Sequence, residues 1–156
     1  MTSVVIKAIL HNLGVTLVSL ALAWLGSLVD GLLGLWPFGG AVVRVVGGLL
    51  LAAGFLLRVW ATVAFYQRGM RVIVLEPQAA LLTTGPYRFS RNPLYLGGNV
   101  LMFLGAALIL GSVTAVAFTI LHLPLMDRMV RREEAQLEQR FGPAFAEYKR
   151  RVRRWF

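Results

Sequence analysis

The chain has 156 residues, of which 58% are hydrophobic and only 15% charged, with a mean hydropathy of +0.70. A soluble domain has about half its residues apolar and about a quarter charged, so this excess of apolar residues excludes an ordinary water-soluble domain and indicates an integral membrane protein. The absence of cysteine excludes disulfides, thiolate metal sites and a cysteine nucleophile, and the net charge of +9 sits beside apolar runs, where it orients a membrane protein and meets anionic headgroups rather than nucleic acid.

The first apolar run, residues 9–29, carries no Asp, Glu, Lys or Arg, and is long enough to cross a hydrocarbon core of about 30 Å. No small-residue cleavage site follows it and another span comes soon after, so it reads as a span rather than a signal peptide. Residues 30–40 form a turn rich in glycine, with Trp36 suited to the headgroup region. The second span covers residues 41–66 and contains Arg58, which either snorkels to the basic end of its helix or serves a polar role inside the bundle. His11 and His122 stand far apart in apolar runs, and no metal site is expected.

Residues 67–92 form the long connection, with a possible short extended piece at 72–75 ended by Glu76-Pro77. The third span runs over residues 93–110, with Asn92 as N-cap and Pro93 as the first helical residue. Gly111-Ser112 makes a tight turn before a fourth apolar run, 113–126, which His122 and Pro124 should kink or end. The turns 30–40 and 111–112 hold no Lys or Arg, whereas 67–92 holds four arginines and the tail is densely basic. The positive-inside rule therefore puts both termini and the long connection in the cytoplasm; in a bacterium the membrane would be the plasma (inner) membrane.

The tail divides at Phe141-Gly142-Pro143. On a helical wheel of residues 127–140, Glu133 falls within the apolar face set by Met126, Met129, Val130, Leu137 and Phe141, and Glu134 at its border. A carboxylate there needs a partner. In residues 144–156, Phe145, Tyr148, Val152 and Trp155 form one stripe, the pattern of an interfacial amphipathic helix. The expected architecture is all-α: a single membrane-embedded domain over 1–156, with about four spans and C-terminal amphipathic helices. Its polar features converge on one face, where the N-terminus of the third span favours an anionic group. Arg91 and that helix end suit a carboxylate, and Glu133 or Glu134 an amine or a ribose hydroxyl. Gly97 and Gly98 leave room for a flat ligand or a close helix contact. Each feature also has a plainer reading: a mere helix start at Asn92, local ion pairs for Glu133 and Glu134, a lipid anchor for the basic tail.

Two blocks carry a resemblance. Gly85-Pro86-Tyr87-Arg88 followed by Arg91-Asn92-Pro93-Leu94-Tyr95-Leu96-Gly97 is similar to the Gly-Pro-Tyr, Arg-His/Asn-Pro-x-Tyr-x-Gly signature of the integral membrane methyltransferases, which span isoprenylcysteine carboxyl methyltransferases and phospholipid N-methyltransferases. The tail, from Glu133-Glu134 through Leu137, Phe141-Gly142, Phe145, Tyr148 and Val152 to Arg154, resembles that family's C-terminal block. The resemblance covers roughly residues 82–155 and implies S-adenosylmethionine as methyl donor and a lipidic or membrane-embedded acceptor, with no metal. By position it implies that Asn92, Pro93, Tyr95, Leu96, Gly97, Glu133 and Glu134 form the cofactor pocket and that Tyr87 and Arg91 close over it. Tyr148 and Arg154 match positions nearer the acceptor, and Glu133 would take a proton from an amine acceptor. Asn92 stands where carboxyl methyltransferases usually have His, Phe145 stands where Tyr is common, and no proline follows Arg154-Trp155. The acceptor is thus left between a prenylated-cysteine-like carboxylate and a phospholipid amine. Two other functions compete: an NADPH-dependent sterol or enone reductase, which usually carries Glu where this chain has Gly98, and a non-enzymatic membrane scaffold or lipid-binding protein.

Overall fold

The computed structural model describes residues 2–70, 72 and 80–155. Within these residues the chain is helical, without strands: α1 (Thr2–Leu32), α2 (Ala41–Tyr66), α3 (Pro93–Leu110), α4 (Val113–Leu121), α5 (Leu123–Phe141) and α6 (Pro143–Arg151), with a 3-10 turn at Gly85–Arg88. Four helical stretches are long and apolar enough to cross a membrane, the fourth being α4 and α5 taken together over Val113–Phe141. The extended piece expected at 72–75 lies almost wholly outside the described residues.

The buried stripe of α1 consists of Ala8, Asn12, Ser19, Ala23, Gly26 and Asp30, spaced at three, four and seven residues, while Leu10, Leu17, Trp24 and Leu28 point outward. Small and polar residues inside with large apolar ones outside is the pattern of helices packed in lipid, where outward leucine costs nothing and close backbone approach is gained by small side chains. α2 buries Gly47, Gly54, Arg58, Ala61, Thr62 and Phe65 by the same logic. A Cβ built on Gly54 would stand 2.5 Å from the Gly97 carbonyl oxygen, and one on Gly105 would stand 2.7 Å from that of Gly47, so α2 and α3 touch backbone to backbone.

At one end of the bundle the two tight turns are tied together. Asp30 Oδ1 accepts from Thr114 N at 2.9 Å and from Thr114 Oγ1 at 2.5 Å, and Phe38 N donates to Gly111 O at 2.9 Å. Ser112 caps α4 by accepting from Ala115 N at 3.1 Å. The helix breaks at His122, because Pro124 has no N–H to continue the ladder, and α5 restarts at Leu123 and runs on to Phe141. Gly142, at φ +47°, turns the chain back into α6. The stripe of α6 is spent on protein: Phe145 and Tyr148 are buried with Ala61, Phe65, Leu82 and Tyr87 in the core at the other end of the bundle. Val152 is extended, so the helix stops at Arg151 and residues 152–155 form a strap.

Candidate functional site

The site is built where that strap meets the mouth of α3. Gly85 adopts φ +62°, which lets Pro86 open the 3-10 turn and swings Tyr87 inward to 5% exposure. The backbone of residues 90–92 is then held by the strap. Arg91 N donates to Arg153 O at 3.0 Å, while Ser90 Oγ and Asn92 Nδ2 donate to Arg154 O at 3.1 and 3.2 Å. Asn92 precedes α3, but its side chain makes no capping bond; the expected N-cap role is corrected, since the amide is turned away to Arg154 O. Ser90, buried and also accepting from Asn92 N at 3.1 Å, helps to fix this backbone to the strap, a contact that no pattern in the sequence signals.

α5 supplies the carboxylates. Glu134, expected only at the border of the apolar face, is the more buried of the pair. Its Oε2 accepts from Arg154 Nε at 3.1 Å and Nη2 at 2.7 Å, and Arg91 Nη2 lies 3.1 Å from its Oε1. Neither arginine is the near neighbour, Arg131, Arg132 or Lys149, that a local pair would use. Arg154 also reaches Asp127 Oδ1 at 3.4 Å, and the Glu134 hydrogen bond holds its guanidinium more firmly protonated than usual. Glu133 Oε1 accepts from Tyr95 Oη at 2.5 Å. Tyr148 Oη donates to Tyr87 O at 2.7 Å.

Tyr87, Arg91, Asn92, Glu133, Glu134 and Tyr148 line one hollow, with Leu81, Leu82, Leu137 and Phe145 as its apolar wall. Three polar atoms there, Tyr87 Oη, Arg91 Nε and Glu134 Oε1, are buried with no hydrogen-bond partner among the described residues, the Arg91–Glu134 contact being an ion pair out of hydrogen-bond alignment. Native interiors rarely leave such groups unpaired, and each one asks for a ligand or water. Burial pushes the Tyr87 hydroxyl well above its ordinary range, as do Tyr148 and Glu133, with Arg58 opposing; burial likewise raises Tyr148, against Arg91. Both are neutral donors at physiological pH.

The remaining expected residues stand around this hollow rather than in its wall. Pro93 starts α3, Leu96 is buried, and Tyr95 meets the hollow only through its bond to Glu133. Gly97 faces α2: a Cβ on it would stand 2.7 Å from Arg58 Cγ and 2.8 Å from Gly54 O. Arg58 does not snorkel. It is 8% exposed, donating from Nε to Asn12 Oδ1 at 2.8 Å and from Nη1 to Leu94 O at 2.9 Å, in the first turn of α3. Asn12 Nδ2 in turn donates to Thr62 Oγ1 at 3.0 Å and Ala8 O at 2.8 Å. This chain of neutral partners around a cation steadies the α3 mouth from below. Arg58 itself signalled a polar role in the sequence; its partner Asn12 showed only as an asparagine amid apolar residues of the first span. His11 stacks edge-on to Tyr66, and His122 stacks on Phe118, while no group of three or more His, Cys, Asp and Glu residues among the described ones is placed to hold a metal.

A bundle of four helical stretches long and apolar enough to span, with carboxylates and arginines gathered at the N-terminus of the third, defines a multi-pass membrane protein with a polar hollow at one end. The chain belongs to the phospholipid methyltransferase family, whose model matches residues 42–144. It is 33% identical over 116 residues to the Nickel-cobalt-cadmium resistance protein NccN of Alcaligenes xylosoxydans xylosoxydans, a match covering 74% of this chain and 50% of that protein. It is 30% identical over 112 residues to a Probable protein-S-isoprenylcysteine O-methyltransferase of Oryza sativa, in both subsp. indica and subsp. japonica, covering 70% of this chain and 59% of each. The chain thus spans between half and three-fifths of the length of these relatives. No solved structure matches it.

Proposed function

We propose that this protein is a methyltransferase that uses S-adenosylmethionine and acts on a lipidic or membrane-associated acceptor at the cytoplasmic face. The observation that carries the reading is the set of three buried polar atoms, Tyr87 Oη, Arg91 Nε and Glu134 Oε1, that have no hydrogen bond among the described residues and lie in one hollow beside the α3 N-terminus. Their chemistry fits the donor: an arginine for its carboxylate, and carboxylates for its amine and ribose hydroxyls. When bound, the donor supplies an electrophilic methyl on a sulfonium.

The protein's part is alignment and exclusion of water. Arg91 and the first turn of α3 hold the anionic end, and Glu134 holds a hydroxyl or amine while its charge is balanced by Arg154. Tyr87, neutral and buried, donates. Glu133 with Tyr95 stands where an amine acceptor would lose its proton; for a carboxylate acceptor no base is required, and Arg154 orients the acid. The family and the rice relatives support an acceptor that is either a phospholipid amine or the carboxylate of a prenylated-cysteine-like molecule. The arginine-rich connection and tail, separated by the spans from turns without Lys or Arg, support a cytoplasmic site.

The test is calorimetry of S-adenosylhomocysteine on the purified protein, followed by labelled S-adenosylmethionine with a membrane lipid extract. Saturable binding and label in a lipid are expected. Stabilisation by NADPH without S-adenosylhomocysteine binding would instead favour the reductase reading, and Glu133→Gln and Asn92→Ala with native product affinity would remove those residues from the site.

A further inference from the structure

Residues 96–102 of α3 are π-helical, and they contain Asn99. The neighbours of Asn99 one turn either way fix the direction in which it points. Tyr95, four residues before, bonds Glu133 of α5. Phe103, four residues after, packs edge-on to Phe118 at 5.7 Å and to His122 at 6.2 Å, on the α4–α5 arm. The opposite stripe, Gly97, Leu101 and Gly105, is the one that meets α2. Four residues is close to one turn in α- or π-helical geometry, so Asn99 faces the α4–α5 arm, about 5 Å below the Tyr95–Glu133 pair. Between its two anchors the arm presents Met126 and Val130, which are buried and apolar.

Asn99 is only half-buried, and its carboxamide has no hydrogen bond among the described residues. A free amide inside a spanning helix is expensive, and such groups mark paths and sites. π-Helical turns are themselves concentrated at functional positions.

We infer that the seam between α3 and α5 admits the methyl acceptor from the bilayer and that Asn99 is its positioning residue, holding a carbonyl linkage of the acceptor. The inference rests on the methyltransferase reading. A carboxamide both donates and accepts, so it suits an ester or an amide, and its depth sets that linkage about one helical turn from the group presented at Tyr95–Glu133. The occupant is an amphiphile with such a linkage next to its reactive head and its hydrocarbon continuing into the membrane. Glycerol esters and the amide of an acylated amino acid share this chemistry.

The experiment uses the purified full chain in detergent and two probes, dioleoylphosphatidylethanolamine and N-acetyl-S-farnesylcysteine, which separate the ester source from the amide source. Thermal stabilisation on titration reads probe binding without turnover, calorimetry reads S-adenosylhomocysteine binding, and labelled S-adenosylmethionine reads KM and kcat. Asn99→Leu should fold as stably as the parent and keep its product affinity. It should need roughly tenfold more of the active probe, the loss falling on KM rather than kcat, and Asn99→Gln should recover part of it. Probe binding and KM within twofold of the parent in Asn99→Leu would overturn the inference, as would saturable binding of neither probe to the parent. Probe binding that Asn99→Leu abolishes, with no label transferred by the parent, would keep the site and remove the methyltransferase reading beneath it.

Discussion

Arg154 grips Glu134 from twenty residues further along the chain, with Nε at 3.1 Å and Nη2 at 2.7 Å from the same carboxylate oxygen, while Arg91 faces the other oxygen at 3.1 Å. One carboxylate therefore bridges two guanidiniums, with Asp127 as a further counter-charge to Arg154, and pins the C-terminal strap over residues 90–92. Glu134→Gln keeps the shape and removes the charge, leaving two cations crowded together. The expected cost is about 2 kcal/mol of stability, below that of a fully buried pair because Arg154 is partly exposed, and at least tenfold in S-adenosylhomocysteine affinity. Denaturation and calorimetry measure the two. A double-mutant cycle with Arg154→Met should show strong coupling, and additive losses would separate the strap from the site.

The Asn12–Arg58 bond carries a prediction of opposite flavour. Asn12→Leu strands Arg58 Nε inside the bundle and should cost about 2 kcal/mol, the penalty of an unpaired charged donor. Adding Arg58→Met removes the stranded charge, so the double variant should be more stable than Asn12→Leu alone. Its donor-site affinity should stay low, because Leu94 O at the α3 mouth has still lost the donor found at 2.9 Å. Thermal unfolding in detergent ranks the three proteins, and a double variant less stable than Asn12→Leu would refute the account.

These two pairs show what the sequence makes legible. Spans, turns and the basic flanks follow from hydropathy and charge alone, since lipid penalises any other arrangement. The convergence of Arg91, Asn92, Glu133 and Glu134 was visible too, because carboxylates on an apolar helical face demand partners. Which partner each takes was not. Whether Arg58 snorkels depends on an asparagine 46 residues away, and whether Asn92 caps its helix depends on a carbonyl 62 residues away. The wheel favoured Glu133 as the buried acid over Glu134, because it could not register the two arginines brought in by other segments.

Tyr87 and Tyr148 set an alkaline limit. Burial raises both hydroxyls above the ordinary tyrosine value, so the folded state holds these protons more tightly than the unfolded chain. Such groups contribute stability that is complete below the unfolded pKa of about 10 and is lost as pH rises beyond it. Melting temperature should fall steeply above about pH 10. Tyr87→Phe deletes a hydroxyl that has no hydrogen bond among the described residues, so at neutral pH its stability should equal or exceed the parent's, while product affinity drops. Tyr148→Phe instead orphans Tyr87 O and should cost about 1 kcal/mol. A pH–melting series on the three proteins decides, and a destabilised Tyr87→Phe would show that its hydroxyl is already satisfied.

Gly97 and Gly48 look alike in the sequence and should behave oppositely. A Cβ on Gly97 would meet the Gly54 carbonyl oxygen at 2.8 Å and Arg58 Cγ at 2.7 Å, whereas nothing lies within 4 Å of one on Gly48. The Gly54 oxygen is backbone of the neighbouring helix and cannot swing aside, so Gly97→Ala must push α3 off α2 and tilt the mouth that Arg58 holds. A loss of about 3 kcal/mol, at the upper end for overpacking, is expected together with weakened product binding. Gly48→Ala, on an open helical face, should instead gain a few tenths up to about 1 kcal/mol from reduced chain entropy. Matched unfolding curves test both, and equal effects at the two positions would mean that the close α2–α3 contact does not set the geometry of the site.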